Sequence, residues 1–208
     1  MSNREHWDRV YQRKAPDAVS WYTPRLERSL AWIDSCQLAP SAHVVDMGGG
    51  ASTLVDDLLA RGFRRISVAD ISAAALDRTR ARLGHRAGSV RWVVGDATTR
   101  LLEDHSVDLW HDRAVFHFLT EATARDAYVA ALCAAVRPGG YAIIGTFGPR
   151  GPERCSGLPV ARYTASDIAE ALGACFEPVD EADEEHTTPW GASQAFAYAL
   201  LRRRTVRS

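Results

Sequence analysis

From residue 43 to residue 147 short apolar runs alternate with stretches of helical spacing, and no other feature of the chain restricts its fold as much. His43-Val44-Val45-Asp46-Met47 is an apolar run that stops at Gly48-Gly49-Gly50, as a buried strand entering a tight loop would. Leu54, Val55, Leu58 and Leu59 then recur at helical spacing, and Gly62 supplies a stop. Ile66-Ser67-Val68-Ala69-Asp70 reads as a second strand. Ser72 suits the N-cap of an alanine-rich helix that runs to Leu83 and closes at Gly84. The runs from Val90 to Val94 and from Val107 to His111 give a third and a fourth strand. A helix with Tyr128, Leu132 and Val136 on one face ends at Arg137-Pro138-Gly139-Gly140, and the run from Tyr141 to Phe147 is the fifth strand. Strands separated by helices need right-handed crossovers, which predicts an α/β fold with a parallel sheet covered on both faces.

The flanks follow other patterns. Trp7 and Tyr11, four apart, mark a helix, and a second helix begins after Pro24, so residues 1–42 read as an N-terminal helical cap. Beyond the core over 43–147, residues 148–208 supply a Gly- and Pro-rich loop, a helix opening at Thr164-Ala165-Ser166-Asp167, and two extended runs. Those runs, near Phe176–His186 and Gln194–Arg203, are joined by Thr187-Thr188-Pro189-Trp190-Gly191 and predict an antiparallel hairpin. At 208 residues the chain is expected to form a single domain from these three parts.

Several classes of function are set aside. No stretch approaches the ~20 apolar residues that span a bilayer. The opening Met1-Ser2-Asn3-Arg4-Glu5-His6-Trp7 lacks the apolar segment of a secretory signal, so the cytoplasm is the expected setting. A net charge of −1 argues against nucleic acid as a partner, and the basic Arg202–Ser208 tail reads as solvated. Cys36, Cys133, Cys155 and Cys175 are widely spaced, so neither a disulfide framework nor a metal knuckle is expected. Lys14 is the one lysine among 25 basic residues, a compositional bias.

Asp46, Asp70 and Asp96 end the first, second and third strands, where a doubly wound sheet binds its ligands. A dinucleotide such as NAD would rest its pyrophosphate on a GxGxxG loop. Gly48 and Gly50 match that spacing, but Thr53 holds the third position and the Asp46 carboxylate would repel a pyrophosphate. The same carboxylate suits an amino-acid ammonium, Asp70 could accept both hydroxyls of a ribose, and Asp96 could accept an adenine amine. Ribose, adenine and a zwitterionic amino acid together describe S-adenosylmethionine. An NAD-binding oxidoreductase is the alternative from another class.

Five segments carry a family resemblance: Val44-Val45-Asp46-Met47-Gly48-Gly49-Gly50, Val68-Ala69-Asp70-Ile71-Ser72, Val94-Gly95-Asp96-Ala97, Val107-Asp108-Leu109-Trp110-His111-Asp112 and Val136-Arg137-Pro138-Gly139-Gly140. In order and spacing the chain resembles the class I S-adenosylmethionine-dependent methyltransferases. The resemblance implies a Rossmann-like sheet of seven strands, order 3-2-1-4-5-7-6, with the last strand antiparallel. It also implies that Asp70 and Ile71 hold the ribose side, Asp96 and Ala97 the adenine, and Gly48, Gly49 and Gly50 the methionine part.

Methyl transfer from a sulfonium chiefly needs an aligned nucleophile, worth ~7–11 kcal/mol, and a base adds roughly 10²–10⁴-fold. The candidates follow the fourth strand in Asp112-Arg113-Ala114-Val115-Phe116-His117-Phe118-Leu119, whose Asp-Arg-Ala start is similar to a segment of the thiopurine methyltransferase group. Asp112 is expected to contact cofactor and acceptor or to pair with Arg113. His117 is expected to be a proton acceptor or a core histidine, and His111 to pack. In a loop placed to set specificity, Arg154 could meet an anionic substrate or stand exposed with no specific role, and Cys155 could bind a soft acceptor or be an ordinary thiol. Trp21 and Tyr22, with the Trp7/Tyr11 face, are expected to belong to a lid whose rings enclose a sulfonium or simply pack against the sheet, and His186 and Trp190, in the terminal hairpin, to line the acceptor pocket from the other side. The expected acceptor is a small molecule with an oxygen, nitrogen or sulfur nucleophile, the alternatives being a protein lysine and a cofactor-binding module without catalysis.

Overall fold

The computed structural model describes residues 3–13 and 15–205, so residues 206–208 of the basic tail lie outside the described residues. Two helices, α1 (Asn3–Arg13) and α2 (Glu27–Ser35), precede the sheet. The central run is β1 (His43–Met47), α3 (Leu54–Ala60), β2 (Arg65–Asp70), α4 (Ala73–Leu83), β3 (Val90–Val94), β4 (Val107–Arg113), α5 (Ala122–Ala135) and β5 (Val136–Phe147). The chain continues through β6 (Arg154–Cys155), β7 (Leu158–Pro159), α6 (Ala165–Leu172), β8 (Phe176–Thr187) and β9 (Ser193–Arg203). Seven strands form one sheet in the order β3-β2-β1-β4-β5-β9-β8, with β9 antiparallel to both its neighbours. This is the expected order once β6 and β7 are set aside. That pair forms its own small ribbon inside the loop after β5, which the Gly- and Pro-rich composition did not reveal.

Alternation along each strand sorts the core onto two faces. Val44, Leu109, Ile143 and Leu200 point to one side and pack with α2, α3 and α4, while Val45, Trp110, Ile144 and Leu201 point to the other, toward α5 and α6. Each buried aliphatic side chain contributes ~1.5–3 kcal/mol, whereas an exposed ion pair such as Arg80–Asp77 gives ~0–1, so the sheet faces hold the fold. Local signals agree with this packing. Ser72 Oγ accepts from the Ala75 amide at 3.2 Å, and Thr164 and Asp167 form a reciprocal capping box on α6.

Two expectations are corrected. Arg137–Gly140 does not simply end a helix: Val136 already pairs with Val107, residues 137–140 bulge out, and pairing resumes at Tyr141 opposite Leu109. Cys133 on α5 and Cys175 in the turn before β8 form a disulfide, because packing α5 against α6 brings together cysteines far apart in sequence. β8 is an edge strand whose exposed or half-buried residues include Glu177, Asp180, Glu181, Asp183, Glu184 and Glu185. No described helix is long and apolar enough to cross a membrane.

Candidate functional site

The parallel strands β1, β2 and β4 deliver their last residues to one edge of the sheet, and the loop after β1 is stitched there by backbone hydrogen bonds. Gly48, at φ +72°, and Gly49 both donate to the Ala69 carbonyl, at 2.7 and 3.3 Å. A side chain at Gly48 would strike Val115, and one at Gly49 would strike Asp46, so the loop can lie this close only with glycine in those places. The Asp70 carboxylate accepts from the Gly50 amide at 3.1 Å and from the Ser72 amide at 2.8 Å. Burial nevertheless raises its pKa to about 6, outweighing these donors. Asp96 accepts from the amide and hydroxyl of Thr98, at 2.9 and 2.7 Å.

Two adjoining cavities open on these residues. One, of about 220 Å³, is walled by Met47, Asp70, Ile71, Asp96, Ala97 and Val115. The other, of about 60 Å³, is walled by Trp21, Asp46, Gly48, Gly49, His111 and Arg113. Trp7 and Phe118 line both, their ring centroids 5.0 Å apart, and Trp21 meets Trp7 edge-on at 5.8 Å. Helix α1, which carries Trp7, is tied down by Asp8, which accepts from Ser72 Oγ at 2.6 Å. A third cavity of about 300 Å³ shares Thr23, Leu26 and Arg113 with the small one and extends to Arg28, Glu184 and His186.

Arg113 joins these walls. Its Nε donates to Tyr198 at 2.8 Å and its Nη1 to the Trp21 carbonyl at 2.7 Å, while the guanidinium lies 4.4 Å from the Phe196 ring centre. Its Nη2 is buried and has no hydrogen-bond partner among the described residues. Ala114 follows at φ +73°, a conformation that costs a non-glycine residue energy and turns the chain between the two cavities.

The expected site residues Trp21, Asp46, Gly48, Gly49, Asp70, Ile71, Asp96, Ala97 and Arg113 thus line the two cavities, with Gly50 just behind, bonded to Asp70. Asp112 and His117 are not brought there. Asp112 is fully buried and accepts from the Val115 and Phe116 amides and from the Tyr128 hydroxyl, the last at 2.6 Å. It holds the turn that carries the cavity wall, and burial raises its pKa to about 6. His117 lies between Phe118 and Phe147 and accepts from the Phe147 amide at 3.2 Å. Burial, with the nearby Arg113 charge, lowers its pKa to about 3, so it is a feeble base in the core rather than a base in the cleft. Trp190 is 60% exposed on the β8–β9 turn, away from the cavities, whereas His186 lines the third cavity and bonds to the Ser20 carbonyl at 2.7 Å. Arg154 reaches the Gly157 carbonyl, and Cys155 is buried. Asp8 and Ser29 were not foreseen.

The sheet order, the glycine loop and three strand-end carboxylates define a doubly wound α/β fold with its cleft at the strand ends. Residues 44–140 match the family model of the methyltransferase domain. Over these residues, just under half of the chain, the protein is similar to a methyltransferase domain, and its sheet has the Rossmann-like fold of S-adenosylmethionine-dependent methyltransferases. A zebrafish (Danio rerio) relative, EEF1A lysine methyltransferase 2, is 24% identical over 158 residues, covering 69% of this chain and 68% of that one. Among solved structures, one concerned with conversion of a disulfide bond into a thioacetal group during echinomycin biosynthesis superposes with a TM-score of 0.80 at 20% identity, covering 100% of this chain and 95% of that one. The 1,6-didemethyltoxoflavin-N1-methyltransferase of Burkholderia thailandensis, with S-adenosylhomocysteine bound, gives 0.66 at 22% identity over 97% and 84%. These superpositions speak to the fold alone. The residues fit that cofactor independently: Asp46, on the wall of the small cavity, has a buried Oδ2 without a partner among the described residues, a place for a cationic donor.

Proposed function

We propose that this methyltransferase acts on a small molecule with an oxygen, nitrogen or sulfur nucleophile, held in the third cavity where it meets the small one at Thr23, Leu26 and Arg113. The observation that carries this reading is the aromatic roof: Trp7, Trp21 and Phe118 cover the small cavity, and the cleft leading to it has walls of mixed charge, with Arg28 and Arg113 beside Glu184. Such a chamber takes in a compact polar molecule and excludes water. Asp70 would accept from the ribose hydroxyls, Asp96 and Ala97 would meet the adenine, and Ile71 would pack beside them. Asp46 with Gly48, Gly49 and Gly50 would hold the amino-acid end, under Trp21.

When bound, the cofactor supplies the electrophilic methyl group. The chain's own residues contribute alignment, worth ~7–11 kcal/mol when the reacting atoms are held in place. Arg113 fixes the Trp21 strap through its carbonyl, and its free Nη2 is a donor for an acceptor carrying an oxygen anion. A protein lysine is the second reading, favoured by the relative named for a lysine methyltransferase.

Purified protein incubated with radiolabelled cofactor, a panel of thiols, phenols and amines, and cell extract tests the choice. Label is expected in the low-mass fraction. Label confined to protein, recovered as methyl-lysine, would overturn the small-molecule reading.

A further inference from the structure

Three polar side chains from three separate elements meet beneath the small cavity. Ser29 on α2, His111 on β4 and Asp46 on β1 are only 1%, 1% and 2% exposed. Ser29 Oγ lies 2.9 Å from His111 Nε2, and His111 Nδ1 lies 2.7 Å from Asp46 Oδ1. An ionised carboxylate can only accept, so His111 donates from Nδ1–H to Asp46 Oδ1, and its Nε2 shares the second hydrogen bond with the serine hydroxyl. Both nitrogens are then satisfied, and the ring cannot turn without breaking a buried hydrogen bond. The chain of contacts ends at one unsatisfied atom, Asp46 Oδ2. An unpaired carboxylate oxygen held out of water costs free energy, and its retention calls for a donor supplied from the cavity.

We propose that His111 and Ser29 are positioning residues for the amino-acid end of the cofactor: they clamp Asp46 by Oδ1 so that Oδ2 stays free for the ammonium group. The proposal rests on the reading that the small cavity holds that end. His111 is therefore more than packing, since a phenylalanine would fill its volume but let the carboxylate swing toward another donor. Ser29 makes α2 part of the clamp.

Calorimetry with two ligands separates positioning from general damage. S-adenosylhomocysteine carries the amino-acid end, whereas 5′-methylthioadenosine keeps the adenosine and the sulfur but lacks it. His111→Phe should weaken S-adenosylhomocysteine at least about tenfold, the scale of one charge-assisted hydrogen bond, and leave 5′-methylthioadenosine within about twofold. Ser29→Ala should cause a smaller loss, roughly two- to fivefold, again for S-adenosylhomocysteine alone. Equal losses for both ligands, or an unchanged S-adenosylhomocysteine affinity in both variants, would overturn the proposal. Wild-type protein that bound the two ligands equally would instead refute the underlying placement of the amino-acid end, and the clamp with it.

Discussion

Asp70 shows how one residue can fasten the backbone and wall a cavity together. Its carboxylate fastens the glycine loop to the start of α4 through the Gly50 and Ser72 amides, yet it still lines the larger cavity. Its pKa of about 6 against an ordinary 3.8 means that the folded protein keeps this proton longer than the unfolded chain does. Between those values the native state binds more protons, so the Asp70 contribution to stability falls as pH rises from about 4 through 6. Thermal melts of wild type and Asp70→Asn should therefore show the stability of wild type, relative to the variant, decreasing from about pH 4 through pH 6. A difference independent of pH would contradict the raised value. The three strand-end aspartates were legible because a parallel strand always delivers its last residue to the same edge. Asp112 and His117 were not, because the turn at Ala114, with its positive φ, decides which side chains face the cleft, and composition does not show that turn.

At the scale of elements, α1 depends on a contact that local sequence does not announce. Asp8 reaches Ser72 across 64 residues and accepts its hydroxyl proton at the N-terminus of α4, so a single carboxylate caps one helix and anchors another. Asp8→Ala should cost about 1 kcal/mol of stability by the capping scale. It should also speed proteolysis between residues 3 and 25 and weaken S-adenosylhomocysteine severalfold, since Trp7 roofs both cavities. Unchanged cleavage and affinity would show that α1 docks through its aromatic face alone. The helices α3, α4 and α6 were readable from apolar spacing and caps. The β6–β7 ribbon was not, because its strands are two residues each and carry no periodicity.

For the whole molecule, the sheet order follows from crossover handedness and alternation, whereas the meeting of Ser29 with His111, 82 residues apart, follows from tertiary packing alone. The two adjoining cavities draw their walls from α1, the Trp21 strap and the ends of β1, β2 and β4, so a ligand bound there should stabilise the fold as a unit. At about a hundred times its Kd, S-adenosylhomocysteine should add ~2.7 kcal/mol and raise Tm by roughly 5–10 °C, while NAD should give no comparable shift. Scanning fluorimetry reads both, and an equal shift with NAD would contradict the cofactor assignment.

The acidic last strand also governs how copies of the molecule can meet. Two β8 edges laid antiparallel would bring rows of carboxylates about 5 Å apart, and like charges placed opposite each other disfavour that pairing. Pro178 withholds one backbone donor, and the irregular register beside it bends the strand further from a flat template. On this side the sheet is closed to fibrillar growth by repulsion and shape, with no covering helix required.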